Sequence, residues 1–286
     1  MAININFFRS NDAGKLDYEA LLTYFDQLEG FSTYMSEDEV EMVYVDKDFN
    51  FSYRYLITKK SRVNQIYKLS PKYTNVNFLL EMPVLIPTFI AKEILALCQK
   101  VSKTFELEVY HDSFDDVKQF NLVTLLSLFN ESRDAYIEEY GLQGKLPFNE
   151  FKLDEVCKYQ RSIGSLREYL HNEVDVEPCD VIIDRNTNEY GICSTFNSGI
   201  PTLFPPHIDF VRIHDEENLE FMVRRADFFT LMGKYLDENR DDLPNMSLLK
   251  PKKARQSRKV VNKLRKLAIV DSNFESLNIC DLIDKE

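Results

Sequence analysis

The chain has 286 residues, with 35 Lys plus Arg against 47 Asp plus Glu, a formal charge of −12, and 44% hydrophobic residues that include 21 Phe and 15 Tyr. At roughly 100–200 residues per domain there is room for one large domain or two small ones, and the apolar content excludes an intrinsically disordered chain. No window approaches the roughly 18 apolar residues of a membrane-spanning helix, so no membrane span is expected. Met1–Asn11 lacks the apolar stretch and small-residue cleavage site of a secretory signal. Five cysteines, odd in number and without a CxxC pair, predict reduced, packed thiols and a cytoplasmic protein.

In chain order, Ile3–Phe8 reads as a short strand. Asp17 then caps a helix that carries Leu16, Ala20, Leu21, Tyr24, Phe25 and Leu28 and stops by Gly30. Val40–Val45 and Phe51–Ile57, joined by a polar turn, predict a hairpin. Asn77–Leu85 reads as a strand limited by Pro83, and Thr88 as the cap of a helix reaching about Lys103. Glu106–Tyr110 resumes the strand pattern. Two helices, Phe114–Gly141 and Leu153–Asn172, form a helical middle segment. A second β-rich stretch follows: a hairpin of Asp180–Asp184 and Tyr190–Phe196, then strands at Ile208–Ile213 and Leu219–Val223. A helix opened by Asp227 runs through Leu236. The pattern predicts an α+β protein with antiparallel or mixed sheets, packed helices and a basic C-terminal helix. Its expected parts are an N-terminal unit 1–145, a helix plus second β-rich unit 146–249, and a tail 250–286.

That tail is the anomalous segment. Residues 1–249 hold 25 basic and 42 acidic residues, net −17, whereas 250–286 hold 10 and 5, net +5. Lys250, Lys252, Lys253, Arg255, Arg258, Lys259, Lys263, Arg265 and Lys266 crowd one stretch without an acidic residue. Val260, Val261, Leu264, Leu267 and Ala268 share one stripe of the helix it predicts. Such a helix can dock onto the acidic body, bind a partner protein, or lie on phosphates, where counterion release drives binding. An anionic membrane surface would accept it too, although no aromatic anchor accompanies it.

Other motifs are weaker. Asp46-x-Asp48-x-Asn50 and Asp184-x-Asn186-x-Asn188 resemble calcium loops but carry Phe51 and Glu189 where Gly is needed, and Ile57 and Thr195 where Glu is needed, so both read as hairpin turns. His207 and Asp209 would share a strand face and offer, with His214, a metal set only if a bulge brought His214 round. Ser165 lacks a nucleophile elbow. Cys157 and His171 lie about 21 Å apart along one predicted helix, and Cys179 with Cys193 reads as a buried pair. With no Walker loop, no GxGxxG and eight glycines, no cofactor is implied. The acidic clusters Glu37–Glu41, Asp112–Asp116 and Asp237–Asp242 read as solvated faces. The leading expectation is a non-enzymatic protein working through protein–protein contact. The alternatives are nucleic-acid binding through 250–267, or an enzyme whose site assembles from distant residues such as His207, Asp209, His214 and Asp184.

Overall fold

The computed structural model describes residues 2–142, 147–217, 219–238, 241–270 and 272–285. They divide into two units, Met1–Pro147 with Cys280–Asp284, and Phe148–Ile279 with Lys285–Glu286. The 145/146 boundary drawn from the sequence lies outside the described residues. Helices and antiparallel or mixed sheets in combination make this an α+β fold.

The first unit is built on the strands β1 (Ala2–Ser10), β2 (Phe31–Met35), β3 (Glu39–Asp46), β4 (Phe51–Thr58), β5 (Tyr73–Pro83) and β6 (Leu107–Tyr110). They form an antiparallel sheet in the order β2-β3-β4-β5-β1-β6. Three helices accompany it: α1 (Tyr18–Asp26), α2 (Thr88–Thr104) and α3 (Leu122–Glu139). Asp17 caps α1 by accepting the Ala20 N–H at 3.0 Å. Phe7, Phe25, Tyr55 and Phe78 are fully buried and meet ring to ring, with Phe7–Phe78 and Phe25–Tyr55 centroids 4.7 Å apart. Successive strand residues face opposite ways. Phe8 accordingly joins a separate cluster with Val63, Tyr110 and Val117.

Three expectations change here, each for a physical reason. β5 starts at Tyr73 rather than Asn77, because the pairing continues across a bulge where Asn77 takes φ 50° and gives its N–H to Asn75 Oδ1. Residues 114–121 do not extend α3. Val109 and Lys118 exchange both backbone hydrogen bonds, Val117 is buried as a strap, and Asn121 caps a helix that begins at Leu122. Thr88 is not the cap of α2 but its first residue. Its N–H donates to Asp284 Oδ2 at 2.8 Å, and Arg133 pairs with the same buried carboxylate. Strand β2 has no counterpart in the sequence reading, since its largely exposed five residues show no apolar alternation.

A short strand, β7 (Pro147–Asn149), leads into α4 (Glu150–Tyr169). The remaining elements are β8 (Asp180–Asp184), β9 (Glu189–Asn197), β10 (Thr202–Phe204), β11 (Phe210–His214), β12 (Glu220–Arg224), α5 (Arg225–Met232), β13 (Leu236–Asp237), β14 (Ser247–Leu249), α6 (Pro251–Arg265), β15 (Phe274–Leu277) and β16 (Ile283–Lys285). The second unit holds a five-stranded sheet, β12-β11-β9-β8-β15, in which only β9 and β11 run parallel, and a three-stranded sheet, β10-β14-β13. Ile182, Cys193, Phe210 and Met222 form one buried cluster, against which Ile269 and Phe274 pack. Phe196, Phe204 and Phe228 form an aromatic group. The helix expected from Asp227 to Leu236 is shorter, because Leu236 pairs with Leu249 as a strand.

Candidate functional site

Helix α6 starts at Pro251, whose fixed φ suits a first helical position. Ala254, Ser257, Val260, Val261 and Leu264 are all buried, so one full stripe of this very polar helix is packed into the second unit. Where composition sets 250–286 apart as a tail, the helix is an integral piece of that unit's core.

The nine basic residues then fall into two classes. Four are neutralised by the body. Lys250 and Lys253 reach the two oxygens of Asp237 at 2.5 and 3.0 Å, Arg258 meets Glu216 at 2.8 Å, and Arg265 pairs with Asp215. Asp237 thereby sits against the first turn of α6, where a negative charge offsets the unfavourable placing of cations at the positive end of the helix dipole. Hydrogen bonds from Lys250 and Lys253 hold the Asp237 carboxyl below its ordinary range. Burial tends to raise Asp215, but the Leu219 and Glu217 N–H groups and Arg265 outweigh it and leave it low.

The other five, Lys252, Arg255, Lys259, Lys263 and Lys266, are exposed and have no ion-pair partner among the described residues. At 100° per residue they lie within a sector of about 80°, nearly opposite the buried stripe. They extend about 21 Å along the axis at 1.5 Å per residue. At the end of this row Leu267 and Val270 stand in solvent, Val270 76% exposed. The structure has thus sorted one basic run into anchors on the flanks and an uncompensated cationic ridge on top.

The metal candidates do not assemble into a ligand set. His207 lies ahead of β11 in a left-handed turn at φ 59°, its ring edge-on to Phe151. Asp209 also precedes the strand; its carboxylate takes Lys152 Nζ at 2.7 Å and the Ile192 N–H at 3.0 Å. His214 ends β11 and faces Glu220 at 3.8 Å. The strand geometry assumed for His207 and Asp209 does not exist, because β11 begins only at Phe210, and the described residues hold no cluster of three or more metal-ligating side chains. Asp184 is engaged by the Asn186 and Asn273 N–H groups and the Thr187 hydroxyl, which lower its pKa. Both calcium-like loops are hairpin turns in which the leading aspartate accepts backbone N–H groups.

The nucleophile candidates fare likewise. His171 lies beyond the end of α4, and burial pushes the Cys179 thiol far up and that of Cys193 up to about 12. What local sequence did not show is a cavity of about 510 Å³ in the second unit, where His207 and Asp209 meet Lys152, Arg225, Glu238 and Asn245. These come from five separate segments, so no motif spacing could reveal them. In the acidic clusters, Glu39 and Glu41 pair with Arg62 and Arg54, and residues 239 and 240 of the third lie outside the described residues. No described helix is long and apolar enough to cross a membrane. No family model, curated protein or solved structure matches the chain.

Proposed function

We propose that this is a cytoplasmic binding protein whose α6 ridge docks an acidic segment of a partner protein. The observation that carries the reading is the division of the nine cations: four pair with carboxylates of the body, and five on one exposed face have no ion-pair partner among the described residues. The ridge is open to association, where opposed charge sets on-rate and register. The exposed Leu267 and Val270 beside it favour a protein partner, which can offer an apolar residue next to its carboxylates. Residues 250–270 contain no aromatic residue on which a base could stack. Five cysteines with no disulfide among them fit a reducing compartment.

The test is fluorescence anisotropy of the full chain with a labelled Glu- and Leu-bearing helical peptide, beside RNA and duplex DNA oligonucleotides of equal charge, over a salt series. The peptide is expected to bind more tightly than either nucleic acid. Binding is expected to fall about tenfold or more in the triple variant Lys252→Glu, Lys259→Glu, Lys263→Glu, and to weaken in Leu267→Ser. Tighter, steeply salt-dependent binding of RNA or DNA that the triple variant abolishes would overturn the protein-partner reading in favour of nucleic acid. No binding of any probe at low salt would overturn both.

A further inference from the structure

The cavity of the second unit is lined by both signs of charge, and the way those charges are used is informative. Lys152 and Asp209 satisfy each other at 2.7 Å, and the second Asp209 oxygen takes the Ile192 N–H. The carboxylate is also fixed sterically. It lies over Gly191 so closely that a Cβ there would come within 2.7 Å of Oδ2. That pair is spent on structure. Arg225 and Glu238 line the same cavity, yet neither has an ion-pair partner among the described residues, and they do not pair with each other.

Arg225 is nonetheless held, its guanidinium over the Phe229 ring at 4.3 Å. It is therefore a positioned cation that, among the described residues, has no ion-pair partner, in a cavity also lined by the Glu238 carboxylate. His207 and Asn245, both lining the cavity, adopt left-handed backbone at φ 59° and 62°. Such conformations are uncommon outside glycine and persist where surrounding structure imposes them. A volume of about 510 Å³ falls in the range typical of small-molecule sites, about 300–1,000 Å³.

The geometry points to a binding site for a small zwitterion, a molecule of amino-acid or short-peptide type. Its carboxylate docks on Arg225, its ammonium on Glu238, and the side chains of His207, Asn245 and Ser247 contact what lies between. A simple anion would meet Glu238 as a like charge, and a simple cation would meet Arg225. Only a ligand carrying both signs satisfies both without adding net charge to the cavity. The guanidinium fork suits a carboxylate through two parallel hydrogen bonds.

The experiment is isothermal titration calorimetry of the full chain with the free α-amino acids and glycylglycine, with sodium acetate and methylammonium chloride as single-charge arms. At least one zwitterion is expected to bind in the millimolar range or tighter, and neither single-charge arm to match it. Arg225→Gln and Glu238→Gln are each expected to weaken that binding about tenfold. Lys103→Gln, on the exposed last turn of α2 in the first unit, is expected to leave it unchanged. Both tested side chains are exposed, so the variants should fold, as thermal melts will verify. Acetate binding as tightly as the best amino acid, with Glu238→Gln neutral or strengthening, would overturn the proposal. Silence of every zwitterion at millimolar concentration would overturn it equally.

Discussion

Asp284 lies near the end of the chain, yet it holds together the middle of the first unit. Its side chain is 2% exposed and that of Arg133 9%. The carboxylate accepts the Thr88 N–H that opens α2 and pairs with Arg133, whose Nη1 also donates to the Thr88 hydroxyl at 3.2 Å. Arg133 Nε already lacks a hydrogen-bond partner among the described residues. Asp284→Ala would strip a buried guanidinium of its counter-charge and leave a helix N-terminus uncapped. Breaking a buried pair by removing one partner costs about 3–5 kcal/mol, well above the roughly 1 kcal/mol upper range of an exposed pair.

The assay is hydrogen exchange read by mass spectrometry on the full chain, which isolates α2 and α3 from the second unit. Their amides should lose most of their protection in Asp284→Ala and in a chain ending at Leu282. The double variant Asp284→Leu with Arg133→Met, which removes both charges together, should recover most of it. A cost below about 1 kcal/mol in Asp284→Ala would refute the reasoning, since it would mean that the pair is solvated like a surface bridge.

Three further outcomes are expected. Leu264→Ala, at a fully buried position of α6, should destabilise the second unit by about 2–5 kcal/mol in urea unfolding, whereas Lys259→Ala on the ridge should stay within about 0.5 kcal/mol. For pH, Asp237 and Asp215 have folded pKa values below the ordinary 3.8. Their stabilisation of the α6 anchors is therefore complete above that value and lost as the pH falls below it. Exchange protection of α6 amides, corrected for intrinsic rates, should hold from pH 7 to about pH 5 and decline below about pH 4; a decline that begins near pH 6 would contradict this assignment. Maleimide at neutral pH should label Cys280, which is only half-buried, in the native protein. Cys98, Cys157, Cys179 and Cys193 should react only on unfolding, because all are buried and burial raises the thiol pKa of Cys98, Cys179 and Cys193.

Local chemistry made much of the fold legible. Asp17 as a cap, the hairpin turns led by Asp46 and Asp184, and the amphipathic stripe of Val260, Val261 and Leu264 all follow from interactions within a few residues of chain, which sequence spacing encodes directly. Elements that exist only through distant pairing carry no such local signal. Strand β2 has too little burial to show alternation, and β15 is a strand because Phe274–Leu277 finds the edge of β8. The apolar run 114–120 has a helical period but is drawn off by Val109. The cap of α2 comes from Asp284, 196 residues away.

The candidate sites divide along the same line. The sequence by itself determined that nine cations would crowd one amphipathic stretch, because charge and helical period are properties of consecutive residues. Which of the nine remain available was decided only by the tertiary structure, since Asp237, Glu216 and Asp215 reach four of them from other segments. The cavity that brings Arg225 and Glu238 together belongs wholly to the tertiary structure. A pocket is a property of surfaces brought together, and no period along the chain records it.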